Sequence, residues 1–456
     1  MDDTISAIAT ALGVGSIGVI RLSGPDSLAI ADRIFTGREK PGKDNARKLL
    51  YGHILDRKGQ PIDEVLAVYM PGPHSYTGED VCEIQCHGGR QALQEILSLT
   101  YQAGARPAEP GEFTKRAFLN GRLDLAEAES VMDIINAKSR QALVAANRGH
   151  EGGLSRKVRE LRKKLRDLVV QLEAAIDYPE EDIEEVTYDR AAEVLAEGQA
   201  AVARLVRQGS AGRILREGLR TAIVGRPNVG KSSLLNSLLQ ADRAIVSNIP
   251  GTTRDIIEEQ MTIGGIPLVL TDTAGLRDTE DLVEKIGVER SRAALEDAQL
   301  ALVVLDGSQA LCREDRELLR SLKDRKKLIL VNKSDLPQVL DTEGLRQEYG
   351  SSDVIVLSVK TGEGMEQVEQ WLREFVYGEG SDSESSSMTQ NARQQDLLEK
   401  ALRSLGDALE GARQHLPYDC LTIDLTQTLH DLGEITGEDV PDEIIDEIFA
   451  QFCVGK

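Results

Sequence analysis

The stretch Gly225-Arg226-Pro227-Asn228-Val229-Gly230-Lys231-Ser232 has residue types and spacing suited to holding phosphates. In a G-x-x-x-x-G-K-S loop the glycines let backbone N–H groups turn inward around phosphate oxygens, and a helix N-terminus adds its positive end. Lys231 reaches the outer phosphates and Ser232 offers a hydroxyl to Mg²⁺. Asp272-Thr273-Ala274-Gly275 follows the apolar run Leu268-Val269-Leu270, which puts a carboxylate at a strand end beside the Mg²⁺ shell and Gly275 at the γ-phosphate. Asn332-Lys333-Ser334-Asp335 closes the run Leu328 to Val331. A carboxylate there accepts from both N1–H and the exocyclic amine of guanine, a pair that adenine lacks. Ser358-Val359-Lys360 closes a third run, where GTPases back up the base, and Gly251-Thr252-Thr253-Arg254-Asp255 occupies a switch position. Five motifs in this order indicate a guanine nucleotide.

These motifs need strands that end at one edge. From about 217 to 378 strands alternate with helices, as in a doubly wound α/β sheet. Residues 1–120 read as mixed α and β, with strands expected at 17–22, 50–55, 64–70 and 80–86 and a helix from Gln91 to Ala103. In the fourth strand Cys82, Ile84 and Cys86 share one face, and Glu83, Gln85 and His87 the other. Residues 121–216 turn helical: Leu154, Val158, Leu161, Leu165, Leu168 and Leu172 recur at helical spacing before Pro179, and a second helix follows Tyr188. A Ser-rich linker runs from Gly378 to Ser387, and 379–456 resumes helical patterning at 390–411, 420–432 and 441–452. Helices on both sides fit either a GTPase unit inserted into one helical domain or two separate helical domains.

With 456 residues the chain has length for several cores, and its formal charge is -22. Such a surface repels phosphate backbones, so a nucleic-acid substrate would need a local patch or a partner. Arg140, Arg148 and the run from Lys157 to Arg166 fit such a patch, and equally a solvated helix face. Five scattered cysteines, no leader-like start and no apolar run near the roughly 18 residues of a membrane span point to a reduced, cytoplasmic protein. Cys82-x-x-x-Cys86-His87 lacks a fourth ligand at zinc spacing and alternates like a strand. Cys453 invites a lipidation reading, which Gly455 and Lys456 disfavour.

The phosphate loop, Gly-Thr-Thr-Arg-Asp, Asp-Thr-Ala-Gly-Leu-Arg and Cys453-Val454-Gly455-Lys456 together resemble the MnmE (TrmE) family of tRNA-modifying GTPases. The likeness runs the whole length, through Pro71-Gly72-Pro73, Gly78-Glu79-Asp80, His87-Gly88-Gly89, Pro110-Gly111-Glu112-Phe113 and Arg116 to Asn120. It implies a multidomain protein: an α+β N-terminal folate-binding and dimerisation domain, an all-α helical domain, and an inserted Ras-like P-loop GTPase domain. It further implies a homodimer that works with the flavoprotein MnmG. Together they place an aminomethyl or carboxymethylaminomethyl group on C5 of the wobble uridine, position 34, of certain tRNAs. The carbon comes from a tetrahydrofolate, as the 5,10-methylene or 5-formyl form.

The resemblance also carries residue roles. GTP binding maps onto Asn228, Val229, Gly230, Lys231, Ser232, Ser233, Ser247, Asn248, Ile249, Pro250, Gly251, Thr252, Thr253, Asp272, Thr273, Ala274, Gly275, Asn332, Lys333, Asp335, Ser358, Val359 and Lys360, with Mg²⁺ on Ser232 and Thr253. Leu276 stands where many GTPases carry the water-orienting glutamine, and the resemblance moves that task to Glu284. The charge an arginine finger would supply could come from Arg226, Arg254 or Arg277. In the family it is a K⁺ ion, on Asn228, Ser247, Ile249 and Thr252, with Ser247 where threonine is common. Folate maps onto Arg21, Glu83, Arg122 and Lys456, and Arg122 departs from the usual lysine. Cys453 is implied to be needed for modification. A different class of reading, an RNA-binding GTPase switch in ribosome assembly, would call for a basic RNA-binding module that this acidic chain lacks. A membrane-remodelling GTPase would need a lipid-binding segment, and none is evident.

Overall fold

The computed structural model describes residues 3–11, 13–137, 139–177, 187–241, 259–270, 297–378, 390–438 and 440–456. They divide into two units, one of 1–132, 150–199 and 400–456, the other of 133–149 and 200–399.

The chain opens with β1 (Ile5–Ile8), β2 (Ile17–Ser23), α1 (Ser27–Ile34), β3 (Phe35–Gly37), β4 (Leu50–Leu55), β5 (Pro61–Met70), β6 (Val81–His87), α2 (Arg90–Gln102), β7 (Arg106–Pro107) and α3 (Glu112–Leu119). Among the described residues these strands form one sheet of order β3-β4-β5-β6-β2-β1-β7, antiparallel except where β1 meets β7. Period-two alternation sends Ile20, Leu22, Ala67, Tyr69, Cys82, Ile84 and Cys86 to one face, where Ile30 and Ile34 of α1 and Leu93 and Ile96 of α2 cover them. Cys82 and Cys86 therefore lie in the core, and burial pushes their thiols up to about 12 and about 11. The opposite face keeps Arg21, Glu83 and Gln85 partly open.

Next come α4 (Leu125–Ile135), α5 (Arg140–His150), α6 (Gly153–Asp177) and α7 (Tyr188–Glu217). The leucine stripe of α6 is buried along its whole length, from Leu154 to Leu172.

The second sheet uses β8 (Leu219–Val224), α8 (Lys231–Ala241), β9 (Glu259–Ile263), β10 (Ile266–Leu270), β11 (Leu300–Asp306), α9 (Arg313–Ser321), β12 (Lys327–Asn332), α10 (Thr342–Tyr349), β13 (Val354–Val356) and α11 (Met365–Tyr377). Its order is β13-β12-β11-β8-β10-β9, parallel apart from the β9–β10 hairpin. All seven residues of β11 are buried, as expected for a strand covered on both faces. Leu302, Leu328 and Leu330 pack to one side with Leu234 and Leu238 of α8, while Val303, Ile329 and Val331 pack to the other with Leu319 of α9. The carboxyl ends of β8, β11 and β12 thus line one edge, where open α/β sheets bind ligands.

The chain continues with α12 (Ala392–Arg413), α13 (Tyr418–Thr436) and α14 (Asp442–Ala450). Helix α13 packs on α6, with Arg162 Nε donating to the Leu429 carbonyl at 3.1 Å, so a helix that precedes the α/β sheet in the chain meets one that follows it.

Candidate functional site

At the edge of the α/β sheet, β8 ends at Val224 and the loop to α8 turns tightly. Gly225 has φ +151°, and a Cβ there would fall 2.3 Å from the Val304 carbonyl oxygen. Gly230 has φ +105°, with Asn332 Nδ2 2.3 Å from where its Cβ would be. Neither position accepts a side chain. Asn228 also takes a left-handed φ of +64° and is exposed. Lys231, at the start of α8, donates through Nζ to the carbonyls of Gly225 (2.8 Å) and Arg226 (2.7 Å), and burial pulls its pKa below the ordinary lysine value. Ser232 and Ser233 are exposed beside it, and Val229 is buried. Arg226, one of the candidate arginine fingers, is committed to Asp315 by a 2.9 Å ion pair.

The base-side motifs close on this loop. Asn332, 4% exposed, donates through Nδ2 to the Val229 carbonyl (2.8 Å) and accepts at Oδ1 from the Val359 N–H (3.1 Å). One side chain thereby joins phosphate loop, β12 and the Ser358 segment. Ser358 Oγ donates to Asp335 Oδ1 at 2.8 Å, and Lys360, largely exposed, sits 3.9 Å from Asp335 Oδ2. These contacts leave acceptor capacity on Asp335 for a purine edge. Lys333 adopts φ +69°, and its Nζ lies 2.6 Å from Asp306 Oδ2. The expected residues Ser247, Asn248, Ile249, Pro250, Gly251, Thr252, Thr253, Asp272, Thr273, Ala274, Gly275 and Glu284, with Arg254 and Arg277, lie outside the described residues. For Mg²⁺ the described part is the Ser232 hydroxyl, and for K⁺ it is Asn228.

A second constellation lies on the N-terminal sheet. Arg21 and Glu83 are cross-strand partners on β2 and β6, and Arg21 Nε donates to Glu83 Oε1 at 2.8 Å. The Arg21 guanidinium lies 5.0 Å from the Tyr76 ring centroid and 5.6 Å from that of Phe113. Its Nη1 is buried and has no hydrogen-bond partner among the described residues. Arg122 sits 5.1 Å from the same Tyr76 ring and donates to the Tyr76 carbonyl.

Lys456 reaches this place because the segment before it docks on the turn into α3. Gly111 N–H donates to the Cys453 carbonyl (3.3 Å), Phe113 N–H donates to the Lys456 carbonyl (3.2 Å), and Pro110 and Val454 form a β-bridge. Burial, and then the Arg21 charge, pull the Lys456 ammonium below its ordinary range, while Cys453 and Glu83 act the other way. Cys453 itself is exposed. The four positions expected for folate therefore come together. An unpartnered guanidinium nitrogen beside a carboxylate and aromatic rings fits a flat heterocycle with N–H donors and a carbonyl or carboxylate. Tyr76 and Phe113 escape a reading of the sequence: Tyr76 lies in a loop and Phe113 in α3, and tertiary position alone brings their rings to Arg21.

Parallel strand order, phosphate loop and Asn-Lys-x-Asp closure define a P-loop GTPase. The profile described as "MnmE helical domain" matches residues 125–453, and "GTP-binding protein TrmE N-terminus" matches residues 4–122. The chain belongs to the MnmE (TrmE) family. It is 48% identical over 460 residues to a tRNA modification GTPase MnmE of Clostridioides difficile (strain 630), covering 100% of both chains. It is also 48% identical over 455 residues to one of Latilactobacillus sakei subsp. sakei (strain 23K), covering 100% of this chain and 98% of the other. The G domain of the T. maritima FeoB iron transporter aligns at 28% identity over 34% of this chain and 98% of its own, with a TM-score of 0.26 too low to carry weight.

Proposed function

We propose that this chain is a cytoplasmic, K⁺-activated GTPase of tRNA modification. With the flavoprotein MnmG it adds an aminomethyl or carboxymethylaminomethyl group to C5 of the wobble uridine, using a one-carbon unit from tetrahydrofolate. The proposed division is 1–120 for folate binding and homodimerisation, 121–216 and 379–456 for the helical domain, and 217–378 for the GTPase.

In the GTPase site, loop N–H groups and Lys231 hold the phosphates, Ser232 and Thr253 would hold Mg²⁺, and Asp335 reads guanine. Asn228, Ser247, Ile249 and Thr252 would hold K⁺, whose charge serves the γ-phosphate oxygens as they become more negative. Glu284 orients the attacking water. On the N-terminal sheet Glu83 takes the pterin N–H donors, while Arg21 Nη1, Arg122 and Lys456 take carbonyl and carboxylate oxygens. A bound tetrahydrofolate supplies a carbon at the formaldehyde or formate level. Cys453, exposed at the same place, belongs to the modification chemistry.

The observation that favours this reading is the gathering of Arg21, Glu83, Arg122 and Lys456 in a chain that also holds a guanine-nucleotide site. A ribosome-assembly switch has no use for such a pocket, and a net charge of -22 suits it poorly. Among the described residues no helix is long and apolar enough to cross a membrane. The test is to delete the chain in its host and analyse tRNA nucleosides by mass spectrometry. Loss of C5-substituted wobble uridine, restored by the intact chain and not by Cys453→Ser, is expected. Persistence of the modification with no other protein supplying it would overturn the proposal and favour ribosome assembly.

A further inference from the structure

Strand β11 ends in a carboxylate that none of the five nucleotide motifs contains. Asp306 is 4% exposed and stands directly opposite Asn332 in the parallel register of β11 and β12. The next residue continues the pairing, with Gly307 N–H donating to the Asn332 carbonyl at 2.9 Å. Asp306 Oδ2 receives the Lys333 ammonium at 2.6 Å and Gln309 Nε2 at 3.2 Å. Its Oδ1 receives the Ser308 N–H at 3.0 Å and the Ser308 hydroxyl at 2.6 Å.

Lys333 needs an anchor of this kind. It is a non-glycine residue at φ +69°, a conformation that disfavours an L side chain, and its side chain is long and rich in rotamers. The ion pair to a nearly buried carboxylate selects one of those rotamers. The backbone is fixed too, since Gln338 Nε2 donates to the Lys333 carbonyl at 2.9 Å. Lys333 is chained directly to Asn332, which ties the phosphate loop to the Ser358 segment. Any freedom at Lys333 is therefore transmitted to both walls of the pocket.

We propose that Asp306 is a positioning residue for the guanine-nucleotide site, acting through Lys333. The inference rests on the guanine-nucleotide reading of that site and adds to it the device that holds the lysine in place. Asp306 touches no nucleotide. Its charge matters because Asn at 306 keeps an oxygen for Ser308 but turns an amide N–H₂ toward the ammonium, donor against donor.

The test uses the full chain and a fluorescent GDP analogue. Asp306→Asn should weaken binding about tenfold, the scale of a lost charge-assisted bond, and leave kcat at saturating GTP unchanged. Ser308→Ala, which removes a turn bond and spares the ion pair, should bind like the unaltered chain. In a Lys333→Ala background Asp306→Asn should change affinity less than about twofold. Unchanged affinity in Asp306→Asn, an equal loss in Ser308→Ala, or a full additional loss in the Lys333→Ala background would each overturn the proposal. If the unaltered chain bound no GDP analogue, the nucleotide reading itself would fall, and the proposal with it.

Discussion

The side-chain amide of Asn332 donates to the carbonyl of Val229 at 2.8 Å, fastening the base-side motif to the phosphate loop across 103 residues of sequence. Both groups are buried, so removing the amide leaves the Val229 carbonyl and the Val359 N–H without this partner. Asn332→Ala should weaken GDP and GTP alike by roughly 10- to 100-fold, matching about 1–3 kcal/mol for unsatisfied buried groups. Stopped-flow release of a labelled nucleotide checks this, and an unchanged release rate counts against it.

Turnover should depend on a different residue. Glu284→Ala is expected to keep GTP affinity and lose most hydrolysis, and the unaltered chain should hydrolyse GTP faster in KCl than in NaCl. Steady-state assays in the two salts, run beside nucleotide titrations, separate the effects. Equal rates in both salts would remove the K⁺ proposal, and full turnover in Glu284→Ala would remove the glutamate.

On the N-terminal sheet, Glu83→Gln exchanges a carboxylate for an amide without changing shape. Binding of 5-formyltetrahydrofolate should fall about tenfold or more, while GTP turnover is unaltered. Calorimetric titration of the full chain gives the answer directly. Retained affinity would show that the carboxylate does not meet the ligand.

Gly455 offers a test of the docked segment. Its φ is +94°, and a Cβ would lie 2.2 Å from the Ile8 carbonyl oxygen. Gly455→Ala should lift Lys456 away from Arg21 and weaken folate binding about tenfold, with nucleotide binding intact. If folate affinity is the same in Gly455→Ala, Lys456 does not contribute to the pocket.

Acid should loosen the same region first. Arg116, with no side-chain exposure, pairs with Asp3 (2.7 Å), Glu79 (3.1 Å) and Glu112 (3.0 Å), and Arg106 pairs with Asp3 and Glu112 as well. Burial pushes the Glu112 carboxyl up, but Arg106, the Glu109 N–H and Arg116 outweigh it and hold it below the usual range. The Arg106 hydrogen bond leads in holding Asp3 low too. A carboxyl depressed in the folded state stabilises fully above its unfolded pKa and loses that contribution as pH falls through the folded value. Corrected for the intrinsic pH dependence of amide exchange, protection at β1 and α3 should therefore be flat above about pH 4.5 and fall below about pH 4. Glu112→Gln should exchange faster at neutral pH and show a weaker acid dependence; the same acid profile as the unaltered chain would contradict the linkage.

How far the sequence discloses this molecule depends on how each feature is encoded. The stripe from Leu154 to Leu172 announces α6, a helix of 25 residues, because burial and helical period coincide along it. Strands β2, β4, β5 and β6 alternate long enough to be read, and the buried face of β6 follows from Cys82, Ile84 and Cys86. By contrast β1 has four residues and β7 two, too few for any period, and tertiary pairing alone makes them strands. The phosphate loop is legible because its chemistry is local. Glu83 can be placed on an open face from alternation, but its partnership with Arg21 depends on β2 lying beside β6, a strand order that alternation does not encode. Asp306 is one of 76 acidic residues, and position at a strand end is the one cue that separates it from a solvated charge.

Helix α3 and the turn before it grip two distant parts of the chain, Asp3 through Arg116 and the 453–456 segment through Gly111 and Phe113. The pocket around Arg21 is therefore assembled in two instalments during translation. At about 5–20 residues per second, roughly 20 to 90 seconds separate the synthesis of Asp3 from that of Lys456. A chain cut short after residue 378 would carry every nucleotide motif and lack Lys456 beside Arg21. Such a product would keep the guanine-nucleotide site and lose part of the site proposed for the one-carbon donor.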